Sequence, residues 1–241
     1  VSPLQFVNPG ASVVTIEGPS ALAPGQKQAH YVARVQDLDD DVTTYTWRLP
    51  GGGTATGPEV EVVFTGGGAQ PLTVTVGDRQ GNVGGASLTV TAPPPELADL
   101  APERVQVLQA EDFVDQGRGK VQLFTRLGCL GQMLSYWDQE PGHWLEWEVP
   151  VAAEGRYQLY LKYCSGNATP PRRALQVDGQ SPGAEYEQLT LPVTGGYCTE
   201  QDNWAYYAVG APLSLSAGKH RLRLTNLGGG VGLDLLLLVR Q

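Results

Sequence analysis

The sequence predicts an all-β chain made of two sandwiches in series, the second of them a β-jelly roll. Three observations lead there. Glycine and proline, 31 and 18 of 241 residues, make up about a fifth of the chain without a collagen-like period, which implies many turns between short elements. Apolar residues alternate with polar ones in short runs, and no stretch carries a convincing amphipathic helical period. Hydrophobic residues reach 41% and charged residues only 17%, a composition that supports a packed core rather than disorder.

In chain order, "HYVARVQD" (30–37), "TTYTWRL" (43–49), "VEVVF" (60–64), "LTVTVGD" (72–78) and "ASLTVTA" (86–92) read as strands, separated by Gly, Pro and Asp. Five short strands in about 90 residues predict a small β-sandwich with Trp47 at its centre. The stretch "TAPPPELADLAPE" (91–103) then breaks the pattern with four prolines and reads as a semi-rigid spacer. The predicted organisation is therefore residues 1–93, a linker at 94–103, and 104–241. Beyond the linker come "LQAEDF", "QMLSYWD", "HWLEWEVPV", "GRYQLYLKYC", "RALQVDGQ", "YEQLTLPV", "NWAYYAV", "PLSLSAGKHRLRLTN" and "GLDLLLLV". Eight or nine strands joined by glycine-rich loops predict a β-jelly roll.

The charge narrows the possible partners. A net charge of −9 and a pI near 4.8 argue against nucleic acid and anionic lipid, which both require a basic surface. The longest apolar run, "LDLLLLV" at 233–239, is strand-sized and too short to cross a membrane as a helix. Val1 opens a polar, proline-containing segment, so no signal peptide is read there, and the chain reads as a piece of something longer. Cys129, Cys164 and Cys198 allow at most one disulfide, with Cys164–Cys198 the preferred pair, as in an exported protein. Their spacing, with no histidine close by, does not suggest zinc.

The runs "DLDDDVTTYTWRLPGGG" and "PLTVTVGDRQGNVGGASLTVTA" resemble a PKD (polycystic kidney disease) domain, an immunoglobulin-like β-sandwich with an acidic turn, a Tyr-x-Trp strand and a late VTVxDxxG turn. The family's WDFGDG is "WRLPGG" here. The resemblance implies a spacer or weak interaction module. Asp37, Asp39, Asp40 and Asp41 offer oxygens to a calcium ion, and a solvated acidic turn is the plainer reading of them.

The second segment opens on "VLQAEDF" (107–113), an unusual place for carboxylates, which are depleted from strands. Gln109 and Glu111, two apart, share a strand face. Asp234 enters the apolar run "LDLLLLV" and needs a partner if buried. With "GHWLEWEVPVAAEGRYQLYLKY" (142–163), "VDG" (177–179), "LPVTGGY" (191–197), "LSAGKHRLRL" (215–224) and "LDLLLL" (233–238), this segment resembles carbohydrate-binding module families 6 and 35. That resemblance implies a structural calcium held by Gln109, Glu111 and Asp234. The alternatives are an exposed edge carboxylate, or pairing of Glu111 with Arg240 or Lys120.

It also implies a polysaccharide- or oligosaccharide-binding cleft at the loop end. There Tyr197, following Thr194-Gly195-Gly196, would be one clamping ring and Tyr136 or Trp137 the other, because aromatic faces grip sugar C–H groups. Trp204 is a further candidate in an extended loop, and Asn167, Arg172 and Arg173 are candidate hydrogen-bond donors to sugar hydroxyls. Gly232 stands where family members commonly carry a cleft asparagine. Trp144, Trp147, Tyr157 and Tyr160 lie in regular strands and read as packing residues. His30, His143 and His220 have no nucleophile or carboxylate at motif spacing, which argues against an enzyme.

The resulting expectation is a calcium-stabilised, non-catalytic carbohydrate-binding module behind a PKD-like spacer. It would be monomeric, secreted or on a bacterial cell surface, and attached to a polysaccharide-active enzyme. A structural or adhesive module pair of a surface protein, contacting other proteins, is the alternative.

Overall fold

The computed structural model describes residues 13–36 and 41–241, so Asp37, Asp39 and Asp40 of the acidic turn lie outside the described residues. The chain divides into two compact units. One reaches to Leu22 and continues over Lys27–Ala92; the other comprises Ala23–Gln26 and Pro93–Gln241.

The first unit holds β1 (Val13–Glu17), β2 (Gln28–Gln36), β3 (Val42–Arg48), β4 (Thr54–Thr56), β5 (Glu59–Val63), β6 (Gly68–Asp78) and β7 (Val83–Ala92). They form two antiparallel sheets, β1-β2-β5 and β4-β3-β6-β7. Each buries one side of an alternating pattern, and the inward residues Tyr31, Trp47, Val62, Leu72, Val74 and Val90 form the core. Trp47 is fully buried, and its indole N–H donates to Gly57 O at 2.9 Å, so the polar edge of the ring is satisfied. The Asp78 carboxylate ties the turn into β7 by accepting from the Gln80 and Asn82 amides at 2.8 Å.

The second unit starts with the short helix α1 (Pro95–Ala98) and contains β8 (Val105–Gln109), β9 (Asp115–Gly117), β10 (Gln122–Phe124), β11 (Met133–Ser135), β12 (Trp144–Val151), β13 (Gly155–Cys164), β14 (Arg172–Val177), β15 (Leu189–Thr190), β16 (Ala205–Leu215), β17 (Gly218–Gly228) and β18 (Gly232–Arg240). One sheet runs β10-β11-β18-β13-β16, with β8 also paired to β18. The facing sheet runs β15-β14-β17-β12-β9. Leu145, Trp147, Leu161, Leu224, Leu236 and Leu238 fill the space between them. On the outer face of β12, Glu146 pairs with Arg223 at 2.8 Å and Glu148 with Lys219 at 2.7 Å.

β18 shows why its sequence is continuously apolar. Leu233, Leu236 and Leu238 face the inter-sheet core, whereas Leu235, Leu237 and Val239 face the other way, into a second apolar cluster. Leu97 of α1 covers that second cluster and is 1% exposed. The segment read as a semi-rigid spacer, 94–103, also reaches the core: its prolines shape a short helix whose leucine seals the outer face of β18. Burying such a side chain contributes about 1.5–3 kcal/mol.

Candidate functional site

The loops around the β10, β11 and β18 ends enclose a cleft of about 460 Å³ whose walls include Phe124, Arg126, Met133, Tyr136, Asp138 and Tyr197. Tyr197 is held from two sides. Its ring lies on the Gly166 backbone, where an added Cβ would come within 2.9 Å of ring carbon Cε2. Its hydroxyl donates to Asn167 Oδ1 at 2.8 Å, while Asn167 Nδ2 donates to Ser165 Oγ at 3.0 Å and Gly230 O at 2.7 Å. The turn before it is zipped to the same strand end: the Thr194 and Gly195 amides donate to Ser165 O at 2.9 and 3.1 Å. Burial and the nearby Asp138 carboxylate push the Tyr197 hydroxyl above its ordinary pKa, so it stays a proton donor at neutral pH.

Tyr136 is 47% exposed and adopts φ 58°, a left-handed conformation unusual for a bulky residue. Such conformations collect at functional sites, where the surroundings enforce them. Its ring packs against Phe124 at 5.7 Å, and the Arg126 guanidinium lies 4.7 Å from the Phe124 ring. One cleft wall is therefore an Arg–Phe–Tyr stack.

Other predicted residues sit elsewhere. Trp137 is 1% exposed, packs edge-on against Trp147, and donates its indole N–H to His143 O at 3.1 Å. It is a core residue, and of this adjacent pair Tyr136 is the one that lines the cleft. Arg173 is likewise buried, stacked 4.6 Å from the Trp137 ring. It donates to Asn226 Oδ1 at 3.0 Å and to Gly229 O from both terminal nitrogens, at 3.1 and 3.0 Å. Rather than meeting a ligand, it fastens the 226–229 backbone behind the cleft. Burial pushes its guanidinium below the ordinary range, and Asp138 opposes that shift. Exposed Arg172 reaches Leu227 O at 3.4 Å.

Trp204 does not line the cleft. Its indole N–H donates to Leu127 O at 2.7 Å and the Lys162 ammonium lies 5.1 Å from its ring. At Gly232, an added Cβ would lie 2.8 Å from Cys164 Sγ and also against Met133. Sulfur side chains therefore occupy the space that a longer side chain would need. Phe124, Arg126 and Asp138 were missed from sequence. Only Asp138, next to the chosen "YW" pair, carried a local signal.

The three predicted metal residues divide into two groups. Gln109 Oε1 and Glu111 Oε2 are buried oxygens without a hydrogen-bond partner, while Glu111 Oε1 accepts from the Gln132 amide at 2.8 Å. Both residues frame Gly131, at φ 135°: a Cβ there would sit 2.6 Å from Glu111 Oε1 and 3.3 Å from Gln109 Oε1. The cradle that a methyl group would fill is thus bordered by orphaned Gln109 Oε1 and by Glu111 Oε1, whose carboxylate carries the second orphaned oxygen, and hard oxygens of this kind fit a calcium ion. Asp234, by contrast, has an internal cation. Its Oδ2 lies 2.7 Å from Lys162 Nζ, the Leu130 amide approaches both of its oxygens at 3.1 and 3.2 Å, and Lys162 also donates to Gly128 O at 2.6 Å. Burial raises the Asp234 pKa and Lys162 opposes that rise. Arg240 does not reach Glu111; it turns to Glu154 O at 3.4 Å.

The PKD domain family matches residues 10–92, which span most of the first unit. Among curated proteins none matches the chain. The second unit is similar to several solved structures. The C-terminal family 6 carbohydrate-binding module of a laminarinase from Zobellia galactanivorans is 20% identical with a TM-score of 0.46, covering 56% of this chain and 99% of that one. A family 35 module from Clostridium thermocellum is 24% identical at 0.46, covering 57% and 98%. A module of Cellvibrio mixtus lichenase 5A, in complex with cellotriose, is 25% identical at 0.44, covering 56% and 97%.

Proposed function

We propose that the second unit binds a polysaccharide or oligosaccharide in the Tyr197–Tyr136 cleft without catalysing a reaction on it. The observation that carries this reading is the mounting of Tyr197. One ring face is seated on Gly166 and the hydroxyl is anchored by Asn167, in a cleft that also holds the half-exposed, left-handed Tyr136. Pre-positioned aromatic rings with polar neighbours suit a sugar's mixture of C–H faces and hydroxyls. Asp138 is the one carboxylate lining the cleft among the described residues, whereas glycoside hydrolysis typically uses two. No histidine among the described residues lines it either.

Calcium belongs to the same proposal as a structural ion on Gln109 and Glu111, with Asp234 close to that region through the 128–132 segment. The ion would supply charge to two oxygens that lack partners and would tie the end of β8 to that segment. The family resemblance supports an appendage of a secreted or cell-surface polysaccharide-active enzyme, acting as a monomer, with the PKD unit as spacer. The testing experiment is a polysaccharide and glycan-array screen of the full chain beside Tyr197→Ala. Binding that disappears in the variant supports the cleft; absence of binding to every glycan overturns the reading.

A further inference from the structure

Cys164 closes β13, and Cys198 directly follows Tyr197. Both are fully buried in one small cluster with Met133. Cys198 adopts φ 54° and also accepts from the Asn203 amide at 3.4 Å. The two thiols thus stand at the two ends of a contact already described: Cys164 is two residues before Gly166, the platform, and Cys198 is one residue after Tyr197, the ring seated on it.

We infer that Cys164 and Cys198 are a cross-linking site whose disulfide staples the Tyr197 ring to its platform. The role for the cleft rests on the glycan-binding reading; the cross-link itself does not. Cys164 ends β13 whereas Cys198 lies in the loop that closes beside it, so Cys198 is the sulfur that meets an external disulfide first as the chain folds. It attacks a small-molecule disulfide such as oxidised glutathione, breaking that S–S bond and releasing one thiolate. Cys164, losing its proton, then attacks the Cys198 sulfur in the mixed disulfide and expels the second glutathione. Two protein thiols are oxidised and one external disulfide is reduced to two thiols. Because both sulfurs are buried, the exchange takes place as the loop closes during folding.

Cys129 packs at the edge of the same cluster but stays out of the bridge. It is only part-buried and stands at neither end of the Tyr197–Gly166 contact.

The test refolds the reduced full chain in an oxidised/reduced glutathione mixture or in a phosphine reductant. Non-reducing peptide mapping, thermal melting, and hydrogen exchange of residues 194–199 follow. The expected result is a Cys164–Cys198 peptide pair with Cys129 alkylated as a free thiol. The second unit's melting temperature should rise by on the order of 10 °C for a bridge closing so long a loop. Exchange at 194–199 should slow, and glycan affinity should tighten several-fold, with each difference abolished in Cys198→Ser. Three alkylated cysteines after oxidative refolding, or bridges containing Cys129, would overturn the assignment. A bridge that leaves both exchange and affinity unchanged would overturn its stapling role. If neither form binds any glycan, the map and exchange rates still decide the cross-link, and it is the glycan-binding reading that fails.

Discussion

Lys162 and Asp234 stand 2.7 Å apart in neighbouring strands of one sheet, and neither side chain is exposed. Lys162 supplies the partner that a carboxylate inside "LDLLLLV" requires, and its bond to Gly128 O places the 128–132 segment over the end of the sheet. Removing one member of such a pair leaves an uncompensated buried charge. Lys162→Met should therefore cost about 3–5 kcal/mol, read by denaturant unfolding of the full chain. Lys162→Met with Asp234→Leu should recover much of that loss. Equal losses in the single and double variants would contradict the pairing.

Gly166 is predicted to be as sensitive as the ring it supports. Gly166→Ala would place a methyl group 2.9 Å from Tyr197 Cε2 and so displace the ring. Glycan affinity should fall about tenfold, equivalent to about 1.4 kcal/mol, while unfolding changes much less. An affinity unchanged by Gly166→Ala would place the binding surface away from Tyr197.

Leu97 tests the docking of the connecting segment. Leu97→Ala should destabilise the second unit by about 2–5 kcal/mol, as truncation of a buried leucine does. A change within about 0.5 kcal/mol in denaturant unfolding would mean that the segment is a spacer that adds nothing to the core.

His220 gives the second unit a pH dependence. Its Nδ1 lies 2.7 Å from Asp178 Oδ2 and its Nε2 2.9 Å from Ser216 O, so both ring nitrogens face acceptors and the protonated ring is favoured. The Asp178 bond, followed by Ser216 O, raises the His220 pKa above 6.5. The folded state then binds this proton more tightly than the unfolded chain. The stabilisation is complete below 6.5 and is lost as pH rises through the raised value. Asp178 is shifted the other way: burial works to raise it, but the Arg221 amide and His220 outweigh that, so its contribution is lost as pH falls through its lowered value. Melting temperatures at pH 5.5 and 8.5 should differ less in His220→Gln than in the parent; an unchanged difference would exclude the pair as the cause.

Calcium should raise the melting temperature of the second unit by several degrees, because a ligand that binds only the folded state stabilises it by mass action. Glu111→Gln should abolish most of that shift, since Glu111 and Gln109 carry the unpartnered oxygens. A shift that survives in Glu111→Gln but vanishes in Asp234→Asn would move the ion to the Lys162 side.

Much of the fold was legible because period and punctuation are local properties. Trp47, the alternating β12 and the β18 run could each be placed without knowing a partner. Tyr197 is a candidate only through the family resemblance, which places a ring after the Thr-Gly-Gly turn. Trp137 was not separable from Tyr136, since adjacent loop residues give no sign of which turns inward. Lys162 carries no local sign of its role, which depends on a carboxylate 72 positions away. Leu97 was hidden among prolines, and Phe124 and Arg126 join the cleft only through pairing of β10 with β11.

The most direct measurement of the central claim is amide and aromatic chemical-shift mapping of the full chain during titration with a glycan identified by screening. The account predicts shifts concentrated at Phe124, Tyr136, Asp138 and Tyr197, with Trp204 and the outer face of β12 little affected. Shifts centred on Trp144 and Arg223, with the Tyr136 and Tyr197 signals unmoved, would contradict it.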